Sequence, residues 1–134
     1  MTKAKRKTPP KTPLPVAPVV PPPTVAQHFE DKPAELRAVY DGILDAASSF
    51  GRFTQDSKKT SIHLTYRSAF AGVALRQDAL ILTLKSARDV KSPRVYRAEQ
   101  VSAHRWHLEI RLNDPTQVDR ELKDWLRHAY ELGR

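Results

Sequence analysis

The chain has 134 residues, room for one ordinary domain, and its 23 Lys and Arg outweigh 15 Asp and Glu while cysteine is absent. Disulfides and thiolate metal sites are therefore excluded, and nothing points to an oxidising compartment. Eight of the eleven prolines fall within residues 1–24 with five of the cations and no acid, so that segment carries +5 and the remainder only +3. Basicity is mainly a property of the tail and does not by itself make the fold a nucleic-acid binder.

Residues 1–24 are expected to be disordered, with polyproline II character in Pro13-Leu14-Pro15-Val16-Ala17-Pro18. Such a segment serves as a solubilising spacer, or as a docking peptide or electrostatic arm. It has the positive start of a secretory signal, but Pro13, Pro15, Pro18 and Pro21–Pro23 interrupt the apolar stretch that should follow. No run approaches the ~20 apolar residues of a membrane span. The expectation is a cytoplasmic protein with no membrane partner, a tail over 1–24 and a single domain over 25–134.

The first helix is predicted to begin near Pro33, with Leu36, Val39, Tyr40, Ile43, Leu44 and Ala47 as its apolar stripe and Ser48-Ser49-Phe50-Gly51 as its end. Three strands follow. Ser61–Arg67 alternates Ile62, Leu64 and Tyr66 against His63, Thr65 and Arg67. Ala69–Arg76 is small and apolar around Phe70 and Val73, and Gln77-Asp78 reads as a hairpin turn. Ala79–Lys85 sets Leu80, Leu82 and Leu84 against Ile81, Thr83 and Lys85. Residues 86–103 have no clear period; Ser92-Pro93 breaks the chain, and Arg94–Gln100 reads as a loop or short helical turn. Trp106, Leu108, Ile110 and Leu112 then alternate without a slip against His107, Glu109 and Arg111. Asp114-Pro115 is a helix start, and Val118, Leu122, Trp125, Leu126 and Ala129 form the last stripe, with Gly133 placed to cap it. The fold class expected is α+β: an antiparallel sheet of about four strands with two helices on one face.

The opposite face is then open to solvent and carries His63, Arg67, Lys85, His107, Glu109 and Arg111. Arginines bind phosphate or carboxylate in bidentate fashion, and histidine transfers protons. A polar open face is also what any half-buried antiparallel sheet presents. Glu109-Ile110-Arg111 is a defective version of a metal-nuclease motif, with an arginine that cannot give up a proton and only Asp89 and Glu99 upstream as further acids. His104 and His107 lie three apart, which on a strand sends them to opposite sides, so zinc is not expected. No Walker loop, nucleophile elbow or dinucleotide fingerprint occurs, and no cofactor is expected. Trp106 and Trp125 keep step with the aliphatic residues of their own elements and are expected in the core. Phe70 is left open, since its strand is apolar on both sides.

Residues 28–133 resemble a family of small bacterial domains of unknown function. The resemblance is carried by Lys59-Thr60-Ser61-Ile62-His63-Leu64, Arg67-Ser68-Ala69-Phe70-Ala71-Gly72-Val73, Ser92-Pro93-Arg94, Val101-Ser102-Ala103-His104-Arg105-Trp106-His107 and Glu109-Ile110-Arg111-Leu112, with Trp125-Leu126 and Ala129-Tyr130 near the end. Members of that family occur alone or appended to nuclease-like domains in proteins described as predicted transport proteins. Many carry Pro-Arg-Lys where this chain reads Leu75-Arg76-Gln77. The resemblance implies no reaction. The leading expectation is a non-catalytic module that binds nucleic acid or an acidic protein surface through the open face. The alternatives are a hydrolase or nuclease using Glu109 with His63 or His107, and a structural or oligomerising domain.

Overall fold

The computed structural model describes residues 21–132. The tail expected over 1–24 thus lies outside the described residues as far as residue 20, and so does the Gly133 cap. Strands β1 (Thr54–Ser57), β2 (Ile62–Tyr66), β3 (Ser68–Leu75), β4 (Leu80–Ser86), β5 (Val95–Ser102) and β6 (Arg105–Leu112) form one sheet in the spatial order β1-β2-β3-β4-β6-β5. Every neighbouring pair is antiparallel. A short helix α1 (Val25–His28) precedes the two long ones, α2 (Ala34–Ser48) and α3 (Arg120–Leu132). No helix of the described residues is long and apolar enough to cross a membrane.

The α+β class holds, but the sheet has six strands where the periodicity predicts about four. Both additions are edge strands. β1 is exposed over Thr54–Asp56, and β5 over Tyr96–Ser102. With almost no side chain to bury, neither strand needs alternation, so the signal that reveals an inner strand is absent. The segment Arg94–Gln100, read as loop or helical turn, is in fact most of β5. Its register slips at both ends, leaving Tyr96 and Val101 as extra residues. Among the described residues, these bulges hold the two large apolar side chains that stand exposed, at 65% and 48%.

Apolar side chains from alternate positions line up in rows across the sheet. Ile62, Val73, Leu82 and Ile110 form one row, and Leu64, Ala71, Leu84 and Leu108 the next. All are buried in one cluster with Leu36, Val39, Tyr40 and Ile43 of α2 and Leu122, Leu126, Ala129 and Tyr130 of α3. Trp106 and Trp125 are partly buried against that cluster, in the core-side position their spacing predicts.

Phe70 is settled by a bulge. Leu64 pairs with Ala71 but Thr65 with Ala69, so Phe70 is an extra residue in β3. Regular alternation would put Phe70 and Ala71 on opposite faces; here both are buried, at 1% and 4%. The Phe70 ring meets Tyr130 edge-on at 5.1 Å between centroids, and Tyr130 stacks on Tyr66 at 5.2 Å. Two helix starts also shift. Pro33 is the N-cap of α2 rather than its first residue. Asp114-Pro115 opens a 3-10 turn, Pro115–Gln117, and Asp119 caps α3 by accepting from Leu122 N–H at 3.1 Å.

Candidate functional site

The face away from the helices is assembled by the same registers. Asp56, His63, Gly72, Thr83, Glu109 and Arg97 fall on one row across all six strands. Lys85, His107 and Glu99 occupy the next row, and Ala74, Ile81 and Arg111 the row on the other side. Ile81 is 6% exposed although it lies on this face, so the surface has an apolar strip beside its polar one.

Gly72 has no side chain to fill the middle of its row, and a trough of about 340 Å³ opens over it, with His63, Thr83, Lys85 and His107 around the rim. The His63 imidazole Nε2 lies 3.3 Å from the Ser61 hydroxyl, and Lys85 Nζ donates to Ser68 Oγ at 3.4 Å. These donors have no carboxylate partner among the described residues, so they are available to an anion.

The remaining candidates are placed differently. Glu109 lies on the open face but faces Arg97, whose guanidinium is 3.9 Å from its carboxylate. Arg111 is on the face as well, tied to Asp78 Oδ1 of the hairpin turn at 3.0 Å. Arg67 leaves the face altogether. It forms the turn between β2 and β3 at φ 66°, and its guanidinium sits 5.6 Å from the Tyr66 ring centroid, beside a hollow bordered by Arg52 and Phe53. The alternation that puts Arg67 on the open face ends one residue earlier, at Tyr66, and Arg67 belongs to the turn.

Glu109 and His63 share a row but are separated by three strand spacings, about 14 Å between backbones. No hydrogen bond joins Glu109 to His63 or His107, as acid–base pairing would require. Among the described residues no group of three or more His, Asp or Glu side chains is arranged to hold a metal ion. A larger hollow, about 590 Å³, lies against α3 and shares only Lys85 with the candidate set.

Two contributors were missed by sequence reasoning. Arg97 belongs to the unrecognised β5. Gly72 sits inconspicuously in an apolar strand, although a glycine in a strand interior commonly marks a close approach or a vacant place on the sheet.

Residues 25–133 match the family described as Domain of unknown function (DUF5655). Searches of curated proteins and of solved structures returned no significant match. The matched span runs from α1 to the residue just beyond α3, taking in every strand that builds the open face. The chain belongs to the DUF5655 family of domains of unknown function.

Proposed function

We propose that this domain is a non-catalytic binding module, working in the cytoplasm, whose open sheet face receives an anionic partner: the phosphates of a nucleic acid or a carboxylate-rich protein surface. The observation that carries this reading is the trough over Gly72, where Lys85, His63, His107 and Thr83 converge around a floor without a side chain. One cation and several neutral donors suit an extended partner held at modest affinity, with the paired Arg97 and Arg111 at the margins. The basic residues of 1–24 add sequence-independent attraction. The separation of Glu109 from His63 weighs against the hydrolase alternative.

Binding of labelled single-stranded DNA, RNA and poly-glutamate to the full chain, titrated across salt, tests the reading. Lys85→Ala should lower affinity several-fold and reduce the salt dependence for nucleic acid by about one counterion, and His63→Ala with His107→Ala should weaken binding further. Binding that survives these changes, yet is lost when Lys3, Lys5, Arg6, Lys7 and Lys11 become glutamine, would place recognition in the tail instead.

A further inference from the structure

A hollow of about 590 Å³ beside α3 is larger than the trough. That volume falls within the usual range for small-molecule sites. Its apolar lining comes from Leu108, buried at the sheet surface, from Val90 in the β4–β5 loop, and from the indole of Trp125. Arg94 braces that indole, with its guanidinium 5.8 Å from the ring.

Three local hydrogen bonds hold the walls in place. Ser86 Oγ donates to Arg88 C=O at 2.7 Å and accepts from Arg88 N–H at 3.2 Å, closing a turn that holds Arg88 at the cavity. Ala87 N–H donates to His128 Nε2 at 3.2 Å, which ties the loop to α3. A backbone N–H can only donate, so Nε2 is the acceptor and the ring proton sits on Nδ1, a donor on a residue lining the hollow.

The charges around the cavity favour an anion. Arg88 and Arg120 line it, and neither is in an ion pair among the described residues. Of the two acids present, Glu121 already accepts from Arg94 at 3.1 Å, which leaves Asp124 as the one uncommitted carboxylate. An apolar wall of Leu108, Val90 and Trp125 bordered by Arg88, Arg120 and His128 fits a molecule with a planar apolar body that can lie on the indole and one anionic group. We propose that this cavity binds a small aromatic carboxylate, with the ring against Trp125 and Val90 and the carboxylate between Arg88 and Arg120. It adjoins the trough over Gly72 at Lys85, the one residue that lines both.

The test is a titration of the ¹⁵N-labelled full chain with 2-naphthoate, followed by amide, Trp125 indole and His128 imidazole resonances. For a ligand of this size a Kd of about 0.1–1 mM is expected. The shifts should concentrate in residues 85–90 and 120–128. Arg88→Ala with Arg120→Ala should weaken binding at least tenfold, and Arg88→Lys with Arg120→Lys should restore part of it. The neutral isostere 2-naphthalenemethanol should bind at least tenfold more weakly than the acid. Shifts centred on His63, Gly72, Thr83 and His107, equal binding of the alcohol, or indifference to the double alanine change would each overturn the proposal.

Discussion

Gly72 can be altered so that occupation of the open-face trough is separated from stability of the fold. A Cβ placed on it would lie 3.7 Å from His63 Cδ2 and 3.9 Å from Thr83 Cβ, ordinary contact distances with nothing to displace. Gly72 has no positive φ, so a side chain introduces no backbone strain. Gly72→Ala should therefore stabilise the domain by about 0.5–1 kcal/mol through lost freedom of the unfolded chain. For a domain of this size that raises Tm by roughly 2–4 °C. Gly72→Val should keep that gain, because a β-branched residue suits a strand, while its γ-carbons project into the trough. Thermal denaturation of both variants, paired with the nucleic-acid and poly-glutamate titrations, gives the two readouts. The expected result is equal or higher Tm with binding reduced at least tenfold for valine. A valine variant that binds as the parent does would refute the trough as the site. One that loses more than about 1 kcal/mol would refute the vacancy over Gly72 itself, since filling open space on a regular strand carries no such cost.

Three further outcomes are expected. Gly51 has φ 149°, and a Cβ there would fall 2.5 Å from the Tyr130 hydroxyl, so Gly51→Ala should cost about 2–4 kcal/mol in urea denaturation; in the double variant with Tyr130→Phe roughly 1 kcal/mol of that should return, and strict additivity would show that the hydroxyl is not what opposes the new carbon. Phe70→Ala should cost about 3–5 kcal/mol by opening a cavity between Tyr130 and Phe53, and a loss below 1 kcal/mol would contradict its burial. Arg94→Ala should cost roughly 1–2 kcal/mol near neutral pH: it removes hydrogen bonds to Asp119, Glu121 and the Gln117 carbonyl, but the two carboxylates are about half exposed and screened by water. Arg94 and the Leu122 N–H hold the Asp119 carboxyl below its ordinary value of 3.8. That contribution is complete above the unfolded value and lost as pH falls through the folded one, so the gap between parent and variant should narrow below about pH 3.8; a gap that stays constant down to pH 2 would sink this account.

The parts of the fold legible in the sequence are those that bury one face. Trp106–Leu112 alternates because Leu108, Ile110 and Leu112 meet the helices while His107, Glu109 and Arg111 do not, and the stripes of α2 and α3 are visible for the same reason. The Gln77-Asp78 turn is equally legible; Arg76 N–H donates to the Ala79 carbonyl across it at 2.8 Å. β1 and β5 lack any such periodicity because sheet edges beyond the helical layer have no inside. Phe70 and Arg67 fail for another reason. Each stands where the chain departs from regular strand geometry, one at a bulge and one at a left-handed turn, and neither departure carries a glycine to announce it. Of the open-face candidates, His63, Lys85 and His107 share a trough only because the order β2-β3-β4-β6 sets their strands side by side, and Glu109 is paired off by an arginine on a strand that periodicity cannot reveal.

The extra residue at Phe70 gives β3 a parity that the rest of the domain depends on. On one side of it the strand serves the aromatic cluster around Tyr130; on the other it presents Gly72 to solvent and Val73 to the core. Loss of Phe70 would leave both registers in step but take its ring from Tyr130, whereas gain of a single residue between Ser68 and Ala71 would rotate one half against the other, bringing Val73 outward or turning Phe70 away from Tyr130. Gain of two would preserve both. Insertions in this stretch are therefore confined to even steps, although the adjoining turn at Arg67 is exposed and would otherwise accept them freely.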